Sequence, residues 1–310
     1  MIPLPNNLKR LPGPVQWYGG KGNMLAKILP LIPTSKVYCE PYGGAGSILC
    51  NLEPRQVEVY NDLDNRLVNL FRVLQNKEQR ERLQERLEFT LYSLEEFRLA
   101  LQEQHDPDPV KAAWGFFVAQ NQGFSGEAKS EGNWSKVFVA NRGMAETTSK
   151  WRSRVANLDR WGERFARVQI DSRCALQVIR YWDSADTVFY LDPPYVLDTR
   201  KGGACYKHEQ DDSHHRELIA LLLTLKGKVV LSGYDHPIYQ PLTDAGWQVI
   251  RWDTACHAAG RLRNNKLQGK GNTLKHAART EVVWRSPNCE PKELFNVEDE
   301  KLKDPDSWGK

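Results

Sequence analysis

Nowhere in the 310 residues is there an apolar run long enough for a helical membrane span. The six cysteines, Cys39, Cys50, Cys174, Cys205, Cys256 and Cys289, are scattered without a CxxC pair. That spacing argues against a zinc site or a disulfide framework and for reduced, mostly buried thiols. The opening MIPLPNNLKRLPGP has prolines where a signal peptide carries an apolar helix, so the expectation is a cytoplasmic protein. Internal repeats are absent, which sets solenoids aside. A glycine is missing as well. In EPYGGAGSIL, residues 40–49, Leu49 stands where a GxGxxG run places its third glycine. A dinucleotide site, and with it a nicotinamide oxidoreductase, is disfavoured.

Charge is plentiful and unevenly placed. The net charge is +4, but the residues after Ser286 carry −3, which leaves +7 on residues 1–286. Between Arg251 and Arg285, eight Lys/Arg stand against Asp253 and Glu281. A basic concentration of this kind suits a polyanionic partner, although solvated surfaces produce similar runs.

Seven short runs rich in β-branched and aromatic residues recur: 36–40, 57–62, 167–171, 187–192, 228–233, 247–252 and 279–284. Their length and lack of strict alternation predict buried strands of a parallel-type sheet. A helix is predicted over 213–226, with Gly227 as its stop and His214 and His215 as exposed residues on it. Strands alternating with helices give an α/β sheet covered on both faces. From 65 to 164 the pattern is helical and polar, with start signals at Ser93-x-x-Glu96 and Asp108-Pro109, and with a Gly/Asn/Ser-rich loop or hairpin from Asn121. The division expected is a catalytic domain in two parts, 1–64 and 165–286, an inserted lobe at 65–164, and a polar tail at 287–310.

Chemistry gathers at strand ends, where ligands of open α/β sheets bind. The first strand runs into EPYGGAGS, whose glycines admit a ligand close to the backbone. Asp62, at the end of the second, suits the two hydroxyls of a ribose. The run VFYLDPPY ends on Asp192, Pro193, Pro194 and Tyr195. Pro193 lacks an N–H, and the proline pair fixes the backbone so that carbonyls face the cleft. Tyr195 offers a flat face on which a base stacks. An acceptor carboxylate, an acceptor carbonyl and a ring together complement an aromatic amine bearing two hydrogens.

In this order, WYGGKGNML (17–25), EPYGGAG (40–46), DPPY (192–195), LSGYD (231–235) and RTEVVW (279–284) resemble the Dam-like, alpha-group N6-adenine DNA methyltransferases. The resemblance implies a Rossmann-like seven-stranded methyltransferase sheet with an inserted, mostly helical target-recognition lobe. It further implies transfer of a methyl group from S-adenosylmethionine to N6 of a flipped-out adenine in double-stranded DNA, with no metal. Asp192, Pro193, Pro194 and Tyr195 are the implied catalytic residues. Trp17, Lys21, Glu40, Tyr42, Gly44, Gly46, Asp62 and Asp192 are the implied cofactor residues.

Two departures stand out. Relatives usually place an acid where this chain has Cys174; either Asp171 substitutes for its contact to the cofactor's adenine or that contact is made by backbone alone. The loop NQGFSG (121–126) differs from the family's N-R-x-G-Y-N-G. Phe124 keeps the apolar wedge, with Gln122 and Ser125 as base contacts. Arg261, Arg263, Lys266, Lys270 and Lys275 are expected to grip phosphates without reading sequence. Alternatives at this stage are an RNA adenine or cytosine-N4 methyltransferase, or a catalytically inactive nucleic-acid-binding relative. The acid of DPPY favours adenine over cytosine.

Overall fold

The computed structural model describes residues 10–124, 130–196, 211–254 and 279–289. Among them, strands β1 (Val37–Glu40), β2 (Val57–Asn61), β5 (Val168–Asp171), β6 (Thr187–Leu191), β7 (Lys228–Tyr234), β8 (Gln248–Thr254) and β9 (Arg279–Arg285) form one sheet. Its order is β5-β2-β1-β6-β7-β9-β8. Strands β3 (Ala140–Asn141) and β4 (Met144–Ala145) make a separate hairpin, turned through Arg142 and Gly143 with positive φ. All seven runs picked out in the sequence are strands of the sheet.

The first five sheet strands are parallel. β9 enters between β7 and β8 antiparallel to both, a departure from the parallel-type expectation. An apolar run records burial on two faces and carries no sign of direction, so the reversal could not be read from composition.

Neighbouring residues on each strand point to opposite faces. Tyr38, Tyr60, Val188, Val230 and Val283 join one apolar cluster, while Cys39, Val59, Phe189, Val229 and Val282 join another. The second is covered by α9 (Ala175–Trp182), α10 (Asp212–Leu222) and α11 (Gln240–Asp244). Against the first lie α1 (Leu25–Ile28) and α2 (Ser47–Asn51). The helices of the insertion pack there too: α3 (Asn65–Gln75), α4 (Lys77–Glu88), α5 (Leu94–Glu103), α6 (Pro109–Gln122), α7 (Glu146–Val155) and α8 (Leu158–Phe165). Phe71 of α3 stacks on Phe165 of α8 at 4.0 Å, and Tyr60 of β2 meets Phe71 edge-on at 4.8 Å. The inserted helices therefore share a continuous core with the sheet. None of the described helices is long and apolar enough to cross a membrane.

The predicted starts hold locally. Ser93 accepts from the Glu96 N–H, and Asp108 accepts from those of Val110 and Lys111 ahead of α6. The helix expected over 213–226 is shorter: α10 stops at Leu222, and Asp183 accepts from the Gly227 N–H.

One buried charge ties the insertion to the sheet. Glu58 of β2 is 1% exposed and takes two hydrogen bonds of 2.7 Å from Arg164 of α8, with Arg167 at 3.2 Å. Arg164→Ala leaves this carboxylate to the half-exposed Arg167 alone of the pair. We expect a loss of about 3 kcal/mol, the scale of a broken buried pair. Urea unfolding should record it as a lower midpoint at unchanged slope.

Candidate active site

Because β5, β2, β1 and β6 are adjacent and parallel, their carboxyl ends form one rim. Glu40 and Asp171 close β1 and β5, and Asp62 and Asp192 follow β2 and β6 by one residue. Asn61 ties three of these ends together. Its Nδ2 donates to the carbonyls of Pro41 (2.8 Å) and Arg173 (3.1 Å), and its Oδ1 accepts from the Arg173 N–H (3.0 Å).

Behind the rim lies the glycine loop. Gly44 and Gly46 have φ of 48° and 63°, a region that disfavours a side chain. The Gly44 N–H donates to Asp62 Oδ2 at 2.9 Å, and its carbonyl accepts from the Tyr60 hydroxyl at 2.5 Å. A Cβ on Gly44 would stand 2.8 Å from the Trp17 ring. The ring and the loop thus approach as only a glycine permits. Asp62 Oδ1 accepts from the Asp64 N–H at 2.8 Å. Burial pushes the Asp62 carboxyl up to about 6, against the pull of these N–H donors.

Glu40 is buried, with the Tyr38 hydroxyl donating to it at 3.3 Å, and burial pushes its carboxyl up to about 8. Tyr42 meets His214 Nε2 through its hydroxyl at 2.8 Å. Asp171 is held by Arg173, which lowers its pKa, and Cys174 caps α9. The expectation for the two histidines fails. His214 is half-buried, and His215 is fully buried against the Tyr239 hydroxyl at 3.2 Å. His215, Leu218, Ile219 and Leu222 lie on one helical stripe, and that spacing carries the histidine into the core.

At the end of β6, the Lys21 ammonium lies 2.8 Å from Asp192 Oδ1 and donates to the Gly19 carbonyl at 3.1 Å. Lys21 is only 5% exposed. Burial pulls its pKa down, but Asp192 and Glu281 outweigh burial, and the net direction is up. Asp192 is raised by burial, with Lys21 opposing. The same ammonium sits 4.8 Å from the centre of the Tyr195 ring. That ring is 6% exposed, not the open face the sequence suggested. Tyr234 packs edge-on against it at 4.3 Å, and the Tyr195 hydroxyl donates to Glu281 Oε2 at 2.9 Å. A rim of acceptors with one buried ammonium suits ligands rich in O–H and N–H donors.

The family model for the D12 class of N6 adenine-specific DNA methyltransferases matches residues 17–254. The chain belongs to this family. A search of the curated proteins finds no match. As a D12 methyltransferase it is an enzyme that moves a methyl group from a donor to N6 of adenine in DNA. The matched span takes in Trp17, the glycine loop, the insertion and the tetrad.

The target-recognition residues expected in this methyltransferase fare unevenly. Gln122 is 0% exposed in the last turn of α6, with Nε2 donating to the Leu91 carbonyl at 2.9 Å, so it does not face a base. The burial of α6 continues through Gln120, Asn121 and Gln122, and the helix ends only at Gly123. Phe124 is 42% exposed rather than a core residue. Ser125, Arg261, Arg263, Lys266, Lys270 and Lys275 lie outside the described residues. Asn61, Tyr234 and Glu281 were missed as site residues. Of these, Tyr234 and Glu281 carried a signal, since they stand in LSGYD and RTEVVW.

The Glu40 carboxyl has an ordinary value of 4.5 and a folded one of about 8. Its contribution to stability is full below the unfolded value and is lost as pH rises through the folded one. Glu40→Gln removes that loss. Its thermal midpoint relative to wild type should climb between about pH 5 and about pH 9.

Proposed function

We propose that the methyl donor is S-adenosylmethionine and that the acceptor is an adenine flipped out of double-stranded DNA onto Asp192 and Tyr195. The observation that carries the reading is the buried Lys21–Asp192 pair against the Tyr195 ring, one strand away from the Gly44 loop. A cation already rests on an acceptor carboxylate beside an aromatic face. The amine of a stacked base asks for the same two partners.

The residues fit the cofactor. The Trp17–Gly44 approach leaves no room for a Cβ, and the Asp62 carboxylate stands at the loop among backbone N–H donors. Trp17, Lys21, Tyr42, Gly44 and Gly46 would hold it, with Asp62 on the ribose hydroxyls and Asp171 near the adenine. Glu40, whose carboxyl burial pushes up to about 8, would line the same pocket. When bound, S-adenosylmethionine supplies a methyl group on a sulfonium, open to in-line attack.

Adenine N6 is a poor nucleophile because its lone pair is delocalised into the ring. Asp192 and the Pro193 carbonyl accept its two hydrogens and draw it toward tetrahedral geometry. These acceptors act on charge that grows in the transition state, where fixed dipoles are most effective. Lys21 yields its place on Asp192 to the incoming amine. The base must leave the duplex because its amine cannot be reached in the stack. In the insertion, Phe124 is the wedge that supports unstacking, and the basic residues 261–275 grip phosphate. The division into a catalytic domain, 1–64 and 165–286, and a target-recognition lobe, 65–164, is part of this reading.

Expression in a methylation-free host followed by single-molecule sequencing should reveal N6-methyladenine at one DNA word. Asp192→Ala should lower turnover by about two to three orders of magnitude with DNA binding retained. Near-wild-type methylation would remove the tetrad from the mechanism. For Asp62→Ala, calorimetry should find S-adenosylmethionine bound more weakly by about 1.5–3 kcal/mol. An unchanged affinity would place the ribose elsewhere.

A further inference from the structure

The family match ends at residue 254, yet a carboxylate from beyond it reaches the tetrad. Glu281 lies on β9, in register with Tyr234 on one side and Trp252 on the other. Tyr195 stands on the loop after β6, where no ladder of strand hydrogen bonds fixes it. Besides the Lys21 ammonium at 4.8 Å and a side-chain hydrogen bond with Asp192, two contacts bear on the angle of its ring. Tyr234 packs edge-on at 4.3 Å, and the hydroxyl donates to Glu281 Oε2 at 2.9 Å. The first is apolar and tolerates sliding, whereas a hydrogen bond to a carboxylate is directional and strengthened by charge. Glu281 also acts on the second partner of the site, since it joins Asp192 in favouring the charged form of Lys21.

We propose that Glu281 is a positioning residue for methyl transfer, which sets the Tyr195 ring through its hydroxyl at the angle a flipped adenine stacks on. The inference rests on the reading of Asp192 and Tyr195 as the methyl-acceptor site. A stacking platform held to within a few tenths of an ångström keeps the amine in line with its acceptors, and small displacements there are amplified in rate. β9 thereby serves the chemistry as well as the sheet. Its antiparallel entry beside β7 is what carries Glu281 to the hydroxyl of a residue 86 positions earlier.

The test uses the full chain, a duplex carrying the mapped target word, and a second duplex with 2-aminopurine at the target adenine. Glu281→Ala should lower kcat/KM for DNA about tenfold and dim the 2-aminopurine signal of the complex. Tyr195→Phe, which keeps the ring and loses the hydroxyl, should show a similar loss. Because both variants break the Tyr195–Glu281 hydrogen bond, the loss in the double variant should fall short of the product of the single losses. Glu281→Gln keeps an acceptor for the hydroxyl and should recover most of the rate. Multiplying losses in the double variant, a Gln variant as poor as Ala, or wild-type kcat/KM in Tyr195→Phe would each overturn the proposal. Should Glu281→Ala fail to fold, the Gln and Phe variants decide it by the same criteria. Asp192→Ala runs beside them. If it methylates normally, the reading of the tetrad fails and takes this inference with it. If it is inactive while the Glu281 and Tyr195→Phe variants match wild type, this inference fails alone.

Discussion

A lysine removed from water stays charged only with an anion in reach, and Lys21 meets that condition at Asp192. The pair joins the N-terminal segment to the end of β6. Such pairs contribute little net stability, because desolvation offsets most of the attraction. The fold is held elsewhere, by apolar layers on both faces of the sheet. The surrounding core is what allows two costly charges to persist at the mouth of the cleft.

The same division explains what could be read in advance. Strand positions follow from side-chain type, and the rim of acids follows from parallel pairing, so both were legible. Trp17, Lys21, Gly44 and Asp62 were found by motif order and do converge at the strand ends. Direction and contact were harder. β9 reads like its neighbours, and nothing local reveals that it runs the other way. Tyr195 reads as a free platform because its three companions, Lys21, Tyr234 and Glu281, come from segments far apart in the chain.

The two polar misreadings have a common origin. Gln122 and His215 were judged by residue type, one as a base reader and one as surface. His215 lies at a position whose helical spacing faces inward, and Gln122 ends a helix buried on every side from Ala113 onward. Each also has a partner for a polar atom, the Leu91 carbonyl for Gln122 and the Tyr239 hydroxyl for His215. Burial of a polar group is tolerable once such a partner exists, and partners at long range are invisible to local pattern.

The glycine loop has a thermodynamic consequence. Both backbone groups of Gly44 are engaged by side chains in or beside β2, Tyr60 on its carbonyl and Asp62 on its N–H. The Gly43 N–H donates to the Asn61 carbonyl, and the Gly46 N–H to that of Gly43. A glycine-rich segment left free would lose a large conformational entropy when a ligand ordered it. Here that loss is incurred during folding, and the loop meets its ligand already in shape. Association with the cleft is then governed by solvent release and contact rather than by the ordering of backbone.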